Sequence, residues 1–406
     1  MTWVEGNTDH NFGIHHLPYG VFTTANDSTP HIGVRIHDFV LDLHQAAAAG
    51  VFIDAAVTET LQAKTLNPFM ALGKSAWDST RARLQEVLTA PGAREIIEPL
   101  LVPLADVTLH LAFEPADYVD FYSSEHHATN VGKMFRPDGD ALMPNWKHLP
   151  VGYHGRSGTL LPSGHDIIRP TGQRRSPDGE ILFGASVRLD IEAEVGFVVG
   201  VPSELGTPIS VDDFKDHVFG TVLVNDWSAR DIQAWEYQPL GPFLGKSFAT
   251  SVGNWITPLA ALDHAEAEAP EQDPAVQPYL TESHRYAYDL AIAVEWNGTT
   301  VANPPFASMY WTPAQQLAHL TVNGASVRSG DFYASGTVSG PEKDQRGSFL
   351  ELSWAGKEPV KLDDGSTRTF LEDGDTVTLR ATAPGAAGKV VELGEVTGTI
   401  KPARSV

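Results

Sequence analysis

Apolar and polar positions alternate with period two along Val187-Arg188-Leu189-Asp190-Ile191-Glu192-Ala193-Glu194-Val195-Gly196-Phe197, a pattern that predicts a strand. Leu189, Ile191, Ala193, Val195 and Phe197 fall on one face, and Asp190, Glu192 and Glu194 on the other. Side chains two apart on a strand stand roughly 6.5–7 Å apart, so Glu192 and Glu194 could both reach one cation at about 2.3–2.6 Å. Without a cation, stacked carboxylates repel and raise one another's pKa. Taken alone, the simpler reading is an amphipathic strand with its acids in water, because charged side chains are mostly exposed. The downstream segment Val222-Leu223-Val224-Asn225-Asp226-Trp227 shifts that balance. It is an apolar run that ends in another acid and leads into a polar, aromatic-rich stretch.

In chain order, residues 1–115 read as a separate unit of short strands and short helices. Residues 33–43 alternate before a short Ala-rich patch. Trp77, Ala82, Leu84 and Leu88 have helical spacing, and Ser75 with Asp78 offers an approximate capping box. His15, His16, His31, His37 and His44 are scattered and read as satisfied or solvated side chains. The texture changes at Asp117. Residues 117–130 are dense in polar and aromatic groups, and 144–156 form a loop rich in Gly, Pro and aromatics. Loops of this kind carry function disproportionately, although each of His126, His127, His148 and His154 taken singly is an ordinary histidine.

Further on, Ser210 with Asp213 predicts a short capped helix over 211–217, and a strand follows over 219–224. Ser228 with Asp231 repeats the cap pattern. Arg230, Gln233 and Tyr237 then share one helical face, either a wall of a polar pocket or a solvated surface. Lys246 lies among Gly, Pro and aromatics, where a desolvated ammonium loses its proton readily; a plain surface lysine is the alternative. Residues 263–283 read as a surface loop, and 287–296 as a strand closed by an Asn297-Gly298 hairpin turn. Thr312-Pro313-Ala314-Gln315 predicts a helix start, with a stop near Asn323-Gly324. The Gly/Ser/Thr loop 334–341 could cradle an anion, but its spacing matches neither a P-loop nor a dinucleotide fingerprint. Glu351 alternates with Leu350 and Leu352, which predicts a strand that turns Glu351 away from its apolar neighbours. Asp373-Gly374 introduces a strand over 377–380.

Composition narrows the chemistry. The chain has 406 residues, is 42% hydrophobic and carries a formal net charge of −23. Its length suits two domains with ample core. Its charge argues against nucleic acid and anionic membrane as partners, and suits a cytoplasmic protein or one that collects cations. There are no cysteines, which leaves no thiolate nucleophile and restricts any metal to oxygen or imidazole ligands. Residues 1–6 lack the order of a signal peptide, and no apolar run is long enough to span a bilayer.

Several motifs then stand together: Asp-Phe-Tyr-Ser-Ser at 120–124, His-Ala-Thr-Asn at 127–130, Leu-Pro-Val-Gly-Tyr-His-Gly-Arg at 149–156, Asn-Asp-Trp-Ser-Ala-Arg-Asp-Ile-Gln at 225–233, Gly-Pro-Phe-Leu-Gly-Lys-Ser-Phe at 241–248 and Ala-Ser-Gly-Thr at 334–337. They strongly resemble the fumarylacetoacetate hydrolase family, in its full-length two-domain form. The resemblance implies a mainly β fold: an N-terminal SH3-like barrel over 1–115, and a mixed β-roll or sandwich catalytic domain over 116–406. It implies a homodimer and hydrolysis of 4-fumarylacetoacetate to fumarate and acetoacetate, the last step of tyrosine and phenylalanine catabolism. By the same resemblance, Asp120, Glu192, Glu194 and Asp226 would ligate Ca²⁺ or Mg²⁺. A second Mg²⁺-type site would use Asp226, the Lys246 carbonyl and Thr250. His127 would be the general base oriented by Glu351, its spacing from Asp120 selecting it over the adjacent His126. Arg230, Gln233 and Lys246 would stabilise an oxyanion. Tyr122, Arg136, Tyr153, Gln233, Tyr237 and Thr337 would hold the substrate. The alternatives are a related acylpyruvate hydrolase, a 2-oxo acid decarboxylase or isomerase of the same superfamily, and a non-catalytic Ca²⁺-binding protein.

Overall fold

The computed structural model describes residues 2–6 and 11–405; the end residues 1 and 406 of the two expected spans lie outside the described residues. The architecture is mainly β with short helices. The N-terminal unit is a five-stranded antiparallel half-barrel, with strand order Leu101–Pro103, Phe39–Asp42, His31–Ile36, Tyr19–Thr24 and Val107–His110. The alternating 33–43 stretch contributes to two of these strands, with a turn at His37, where φ is 51°. The Lys74–Val87 helix buries Trp77 and Leu84, and Leu88 is buried at its C-cap, but Ala82 of the expected face is exposed, and Ser75 and Asp78 do not cap the helix. Gly73 occupies the cap at φ 87°, a backbone region that glycine enters freely, and Asp78 pairs with Lys74 instead.

Five strands of an eight-stranded mixed sheet carry or flank the acids Asp120, Glu192, Glu194 and Asp226. Side by side, they are Tyr118–Phe121, Phe332–Ala334, Ala193–Val199, Val218–Asp226 and Thr250–Val252. Their side chains divide between two cores. On one face, Val195, Phe197, Leu223 and Tyr333 pack with Trp296, Leu379 and Val396 of a third sheet. On the other, Val198, Val222, Val224, Val252 and Phe332 pack with Tyr19, Phe69 and Trp77 of the N-terminal unit. Val218–Asp226 is buried along its whole length, which is why it reads as an apolar run rather than an alternation. Tyr19 and Ile256 exchange backbone hydrogen bonds of 2.9 and 2.7 Å. Each large side chain in that shared core contributes about 1.5–3 kcal/mol, so the N-terminal unit is fastened to the central sheet rather than tethered by its linker.

Two local expectations fail for one reason. The alternation over 187–197 is divided into Leu189–Asp190 and Ala193–Val199. The Asp190 carboxylate accepts the Ile191 N–H at 2.8 Å, and Leu189–Asp190 pairs with Ser228–Ala229 instead of continuing in the central sheet. Such side-chain-to-backbone bonds compete with a strand ladder. Ser228, used in this pairing, does not cap the following helix. That helix spans Arg230–Glu236 without a side-chain cap, and Asp231 accepts from Ser186 Oγ and the Val187 N–H at 2.6 and 2.8 Å. Elsewhere, the Thr312/Gln315 capping box forms, and Asn297 and Gly298 make a hairpin turn with φ of 51° and 82°. Among the described residues no helix is long and apolar enough to cross a membrane.

Candidate active site

The acids gather at one end of the central sheet. Asp120 follows Tyr118, Glu194 precedes Gly196 and Val198, Asp226 follows Val224, and Thr250 precedes Val252. In a period-two strand these are positions on a single face, the one that carries the shared core further along. Pairing of Asp226 with Thr250 brings neighbouring strands into register there. Glu192, just outside the strand, accepts the Asp226 N–H on its backbone carbonyl at 3.1 Å. Asp120, Glu192, Glu194 and Asp226 each offer an oxygen within 4.8 Å of the others, and all four side chains are buried. Neither oxygen of Glu194, nor Oδ1 of Asp120, has a hydrogen-bond partner among the described residues. Buried carboxylate oxygens without donors are costly. An all-oxygen set of this kind fits a hard divalent cation.

The charges around this cluster are unequal. Burial and the neighbouring acids push Asp120 and Glu194 well above the usual carboxylate range. Burial alone would also raise Glu192, but Lys246 and Arg230 outweigh it and hold that carboxyl low. Lys246 Nζ lies 2.6 Å from Asp226 Oδ2 and 2.7 Å from Glu192 Oε2. Burial works against its charge, yet Asp226, Glu192 and Asp120 raise its pKa above the ordinary lysine value. The expectation of a readily deprotonated Lys246 is therefore overturned: its tertiary partners are acids, and they keep the ammonium. Thr250 Oγ1 donates to Asp226 Oδ1 at 2.9 Å. Arg230 donates from Nε to Asp190 and from Nη1 to Glu192, each at 2.7 Å, and its buried Nη2 has no partner among the described residues.

Beside the acids lies a buried pair. Ser124 caps the Glu125–Phe135 helix by accepting the His127 N–H at 3.2 Å, which fixes the start of the helix and turns His127 inward. His127 Nδ1 lies 2.6 Å from Glu351 Oε2, with His127 at 3% exposure and Glu351 at 0%. Glu351 sits on a single helical turn, Phe349–Leu352, and not on the expected strand. Ser348 is the cap, its Oγ accepting the Glu351 N–H at 3.3 Å. Ser-x-x-Glu is a helix-start pattern, and this signal outranks the brief alternation of Leu350, Glu351 and Leu352. Burial would raise the Glu351 pKa; His127 and the surrounding donors lower it below 4.5. The ionised carboxylate accepts from Nδ1–H, which leaves Nε2 as the imidazole's basic nitrogen.

The family model described as "Fumarylacetoacetate (FAA) hydrolase C-terminal" matches residues 117–401, and that described as "Fumarylacetoacetase N-terminal" matches residues 15–112. The chain belongs to the fumarylacetoacetate hydrolase family. It is 45% identical to the fumarylacetoacetase of Homo sapiens over 418 residues, covering 99% of each chain. It is 47% identical to that of Caenorhabditis elegans over 416 residues, covering 98% of each. Among solved structures, a fumarylacetoacetate hydrolase from Exiguobacterium antarcticum aligns at a TM-score of 0.54 and 16% identity, over 96% of this chain and 100% of that one. At that identity the likeness speaks to the fold.

The other residues drawn from the family resemblance lie at graded depth. Tyr122 stacks edge-on against His127, ring centroids 5.3 Å apart. The half-buried Tyr153 lies opposite Asp120 on the neighbouring strand, and its hydroxyl favours the ionised form of that carboxyl. Thr337 is buried, and its Oγ1 has no hydrogen-bond partner among the described residues. Gln233 is half-buried and accepts from Arg230 Nη1 at 3.2 Å. Tyr237 is 47% exposed at the end of the same helix. Arg136 is the outlier. Its exposed guanidinium donates to the carbonyls of Asp140 and Ala141 at 3.3 and 2.7 Å, on the loop that follows the helix. Three residues not anticipated from the sequence surround Glu351: Asn130 at 2.9 Å, Ser348 at 2.8 Å and Ser339 at 3.1 Å. Asn130 is one helical turn beyond His127, and that i, i+3 spacing was a usable signal.

Proposed function

We propose that the protein hydrolyses the carbon–carbon bond of 4-fumarylacetoacetate, releasing fumarate and acetoacetate. The observation that carries this is the buried His127–Glu351 pair set against four carboxylates in a chain about 45% identical, end to end, to fumarylacetoacetases. The cation held by Asp120, Glu192, Glu194 and Asp226 is Ca²⁺ or Mg²⁺ in this reading, with Asp226, the Lys246 carbonyl and Thr250 as a second Mg²⁺-type site. When bound, such an ion would supply Lewis acidity that polarises the diketone carbonyl.

The protein's own residues supply the rest. Nε2 of His127 takes a proton from water, and Glu351 stabilises the imidazolium through Nδ1–H. The water oxygen bonds to the fumaryl carbonyl carbon. Arg230 Nη2, Gln233 and the Lys246 ammonium face the developing oxyanion, where each preorganised donor is worth about 10²–10³ in rate. Collapse re-forms the carbonyl and breaks the carbon–carbon bond. The electron pair leaves as the enolate of acetoacetate, and proton return to its terminal carbon gives the methyl group. Lys246, held charged by its acids, is a fitting donor. Tyr122, Tyr153, Tyr237 and Thr337 hold the substrate, and Arg136 joins them when its guanidinium leaves the Asp140 and Ala141 carbonyls. We read the division near residue 115 as the domain boundary and the enzyme as a cytoplasmic homodimer acting last in tyrosine and phenylalanine breakdown. Incubation with fumarylacetoacetate and Mg²⁺ or Ca²⁺, followed by diketone absorbance, tests the proposal. Loss of absorbance supports it, and a stable signal at saturating enzyme refutes it.

A further inference from the structure

Asp190 takes no part in the carboxylate cluster, although its spacing places it on the same face as Glu192 and Glu194. It is fully buried, and both oxygens are spoken for. Oδ1 accepts the backbone N–H groups of Ile191 and Phe349, each at 2.8 Å. Oδ2 accepts the Leu350 N–H at 3.1 Å and Arg230 Nε at 2.7 Å. A carboxylate offers about four acceptor positions, so these four donors saturate it and leave nothing for a cation.

The donors come from two parts of the site. Phe349 and Leu350 open the helical turn whose third residue is Glu351. With Ser348 Oγ on the Glu351 N–H, the first-turn amides of Phe349, Leu350 and Glu351 all have acceptors, two of them supplied by Asp190. Arg230 is held on two sides, by Asp190 at Nε and by Glu192 at Nη1, and this leaves Nη2 as its free donor. Arg230 and Glu351 are remote in sequence and lie on separate elements. One side chain touches the framework of both.

We infer that Asp190 is a positioning residue that locks the Arg230 guanidinium and the Glu351 turn into a single geometry, so that the oxyanion donor and the orienting acid of the base are set by one carboxylate. The inference rests on the hydrolase reading. It concerns orientation in the transition state, not substrate affinity.

Asp190→Asn tests it. An amide keeps one oxygen and replaces the other with an N–H donor. However it is turned, donors on one side face a donor. Hydrogen exchange should show the Phe349 and Leu350 amides opening at least tenfold faster, with the Val218–Asp226 amides unchanged. Steady-state kinetics should show kcat lower by about 10²-fold, the size of one lost oxyanion donor, with KM within threefold. Asp190→Glu, which keeps the charge but moves the oxygens by one methylene, should show the same split and serves if the first variant does not fold. Wild-type kcat in either folded variant, or a loss confined to KM, would overturn the inference. So would failure of both variants to fold, which would make Asp190 part of the framework alone. Wild-type protein runs in the same assay. An inactive wild type would refute the hydrolase reading and leave the exchange result standing.

Discussion

Glu351→Gln is the substitution whose consequence can be worked furthest. The carboxylate is buried and accepts from His127 Nδ1 at 2.6 Å, Ser348 at 2.8 Å, Asn130 at 2.9 Å and Ser339 at 3.1 Å. Glutamine has the same outline, so the cavity stays filled, but it removes the charge and turns one acceptor into a donor. If the new N–H₂ lies where Oε2 was, it opposes His127 and Ser348 and pulls the imidazole toward the wrong tautomer. If it lies where Oε1 was, it opposes Asn130, whose own amide can flip to receive it. The second arrangement is the less costly one. It preserves the tautomer and loses only the attraction between carboxylate and imidazolium. At about 4 Å and an effective dielectric of about 20, that attraction is about 4 kcal/mol. A barrier raised by that amount slows the reaction about 10³-fold, within the 10²–10⁴ range expected for a general base and its orienting acid. The assay is kcat from diketone absorbance at saturating cation, with KM measured alongside. His127→Ala should cost at least as much, and the double variant little more than the worse single, because the pair acts as a unit. A kcat within threefold of wild type in folded Glu351→Gln, or full additivity in the double variant, would refute the dyad.

Other outcomes rest on the same geometry. Asp226→Ala should abolish activity while far-UV circular dichroism stays near wild type; appreciable turnover would remove Asp226 from the cation site. Gln233→Ala should lower kcat more than it raises KM, since an oxyanion donor acts mainly in the transition state, and a change in KM alone would make it a plain substrate contact. Mg²⁺ or Ca²⁺ at 100 times its Kd should stabilise the metal-free protein by about 2.7 kcal/mol, a Tm rise of about 3 °C for a chain of this length; no shift at saturating cation would contradict the fit of the four acids to an ion. Glu351 has a folded pKa below 4.5, so the unfolded chain binds the extra proton in that window. Its stabilisation is present above pH 4.5 and is lost as pH falls through the lower folded value. Urea unfolding should show a shallower acid slope there in Glu351→Gln, and identical slopes would argue that the carboxylate is not held ionised.

The sequence carried some of this site openly and hid the rest for identifiable reasons. Glu194 was legible because the alternation around it fixes its face, and Asp226 because it closes an apolar run. The pairing of His127 with Glu351 was legible through the family resemblance, since nothing local to either residue names the other. The helical turn under Glu351 was missed although Ser348 stands three residues before it, because three residues of alternation cannot decide between a strand and a turn. Lys246 was misjudged from its Gly, Pro and aromatic neighbours in sequence. Its ionisation is decided by Asp226 and Glu192, which only tertiary folding brings to it. Asp190 was hidden by the same alternation that revealed Glu194, since nothing local says that the strand breaks at Ile191. The docking of the half-barrel onto Val198, Val222 and Phe332 left no local trace, because those positions read simply as strand interior.

The central claim is that water, activated by His127, attacks the fumaryl carbonyl and the carbon–carbon bond then breaks. Turnover of fumarylacetoacetate in ¹⁸O-labelled water, with products resolved by mass spectrometry, tests it most directly. Fumarate and acetoacetate should appear in equal amounts, with one labelled oxygen in the fumarate carboxylate formed by cleavage, and His127→Ala should suppress both products together. Release of carbon dioxide, an isomer of unchanged mass, or unlabelled fumarate would contradict the account.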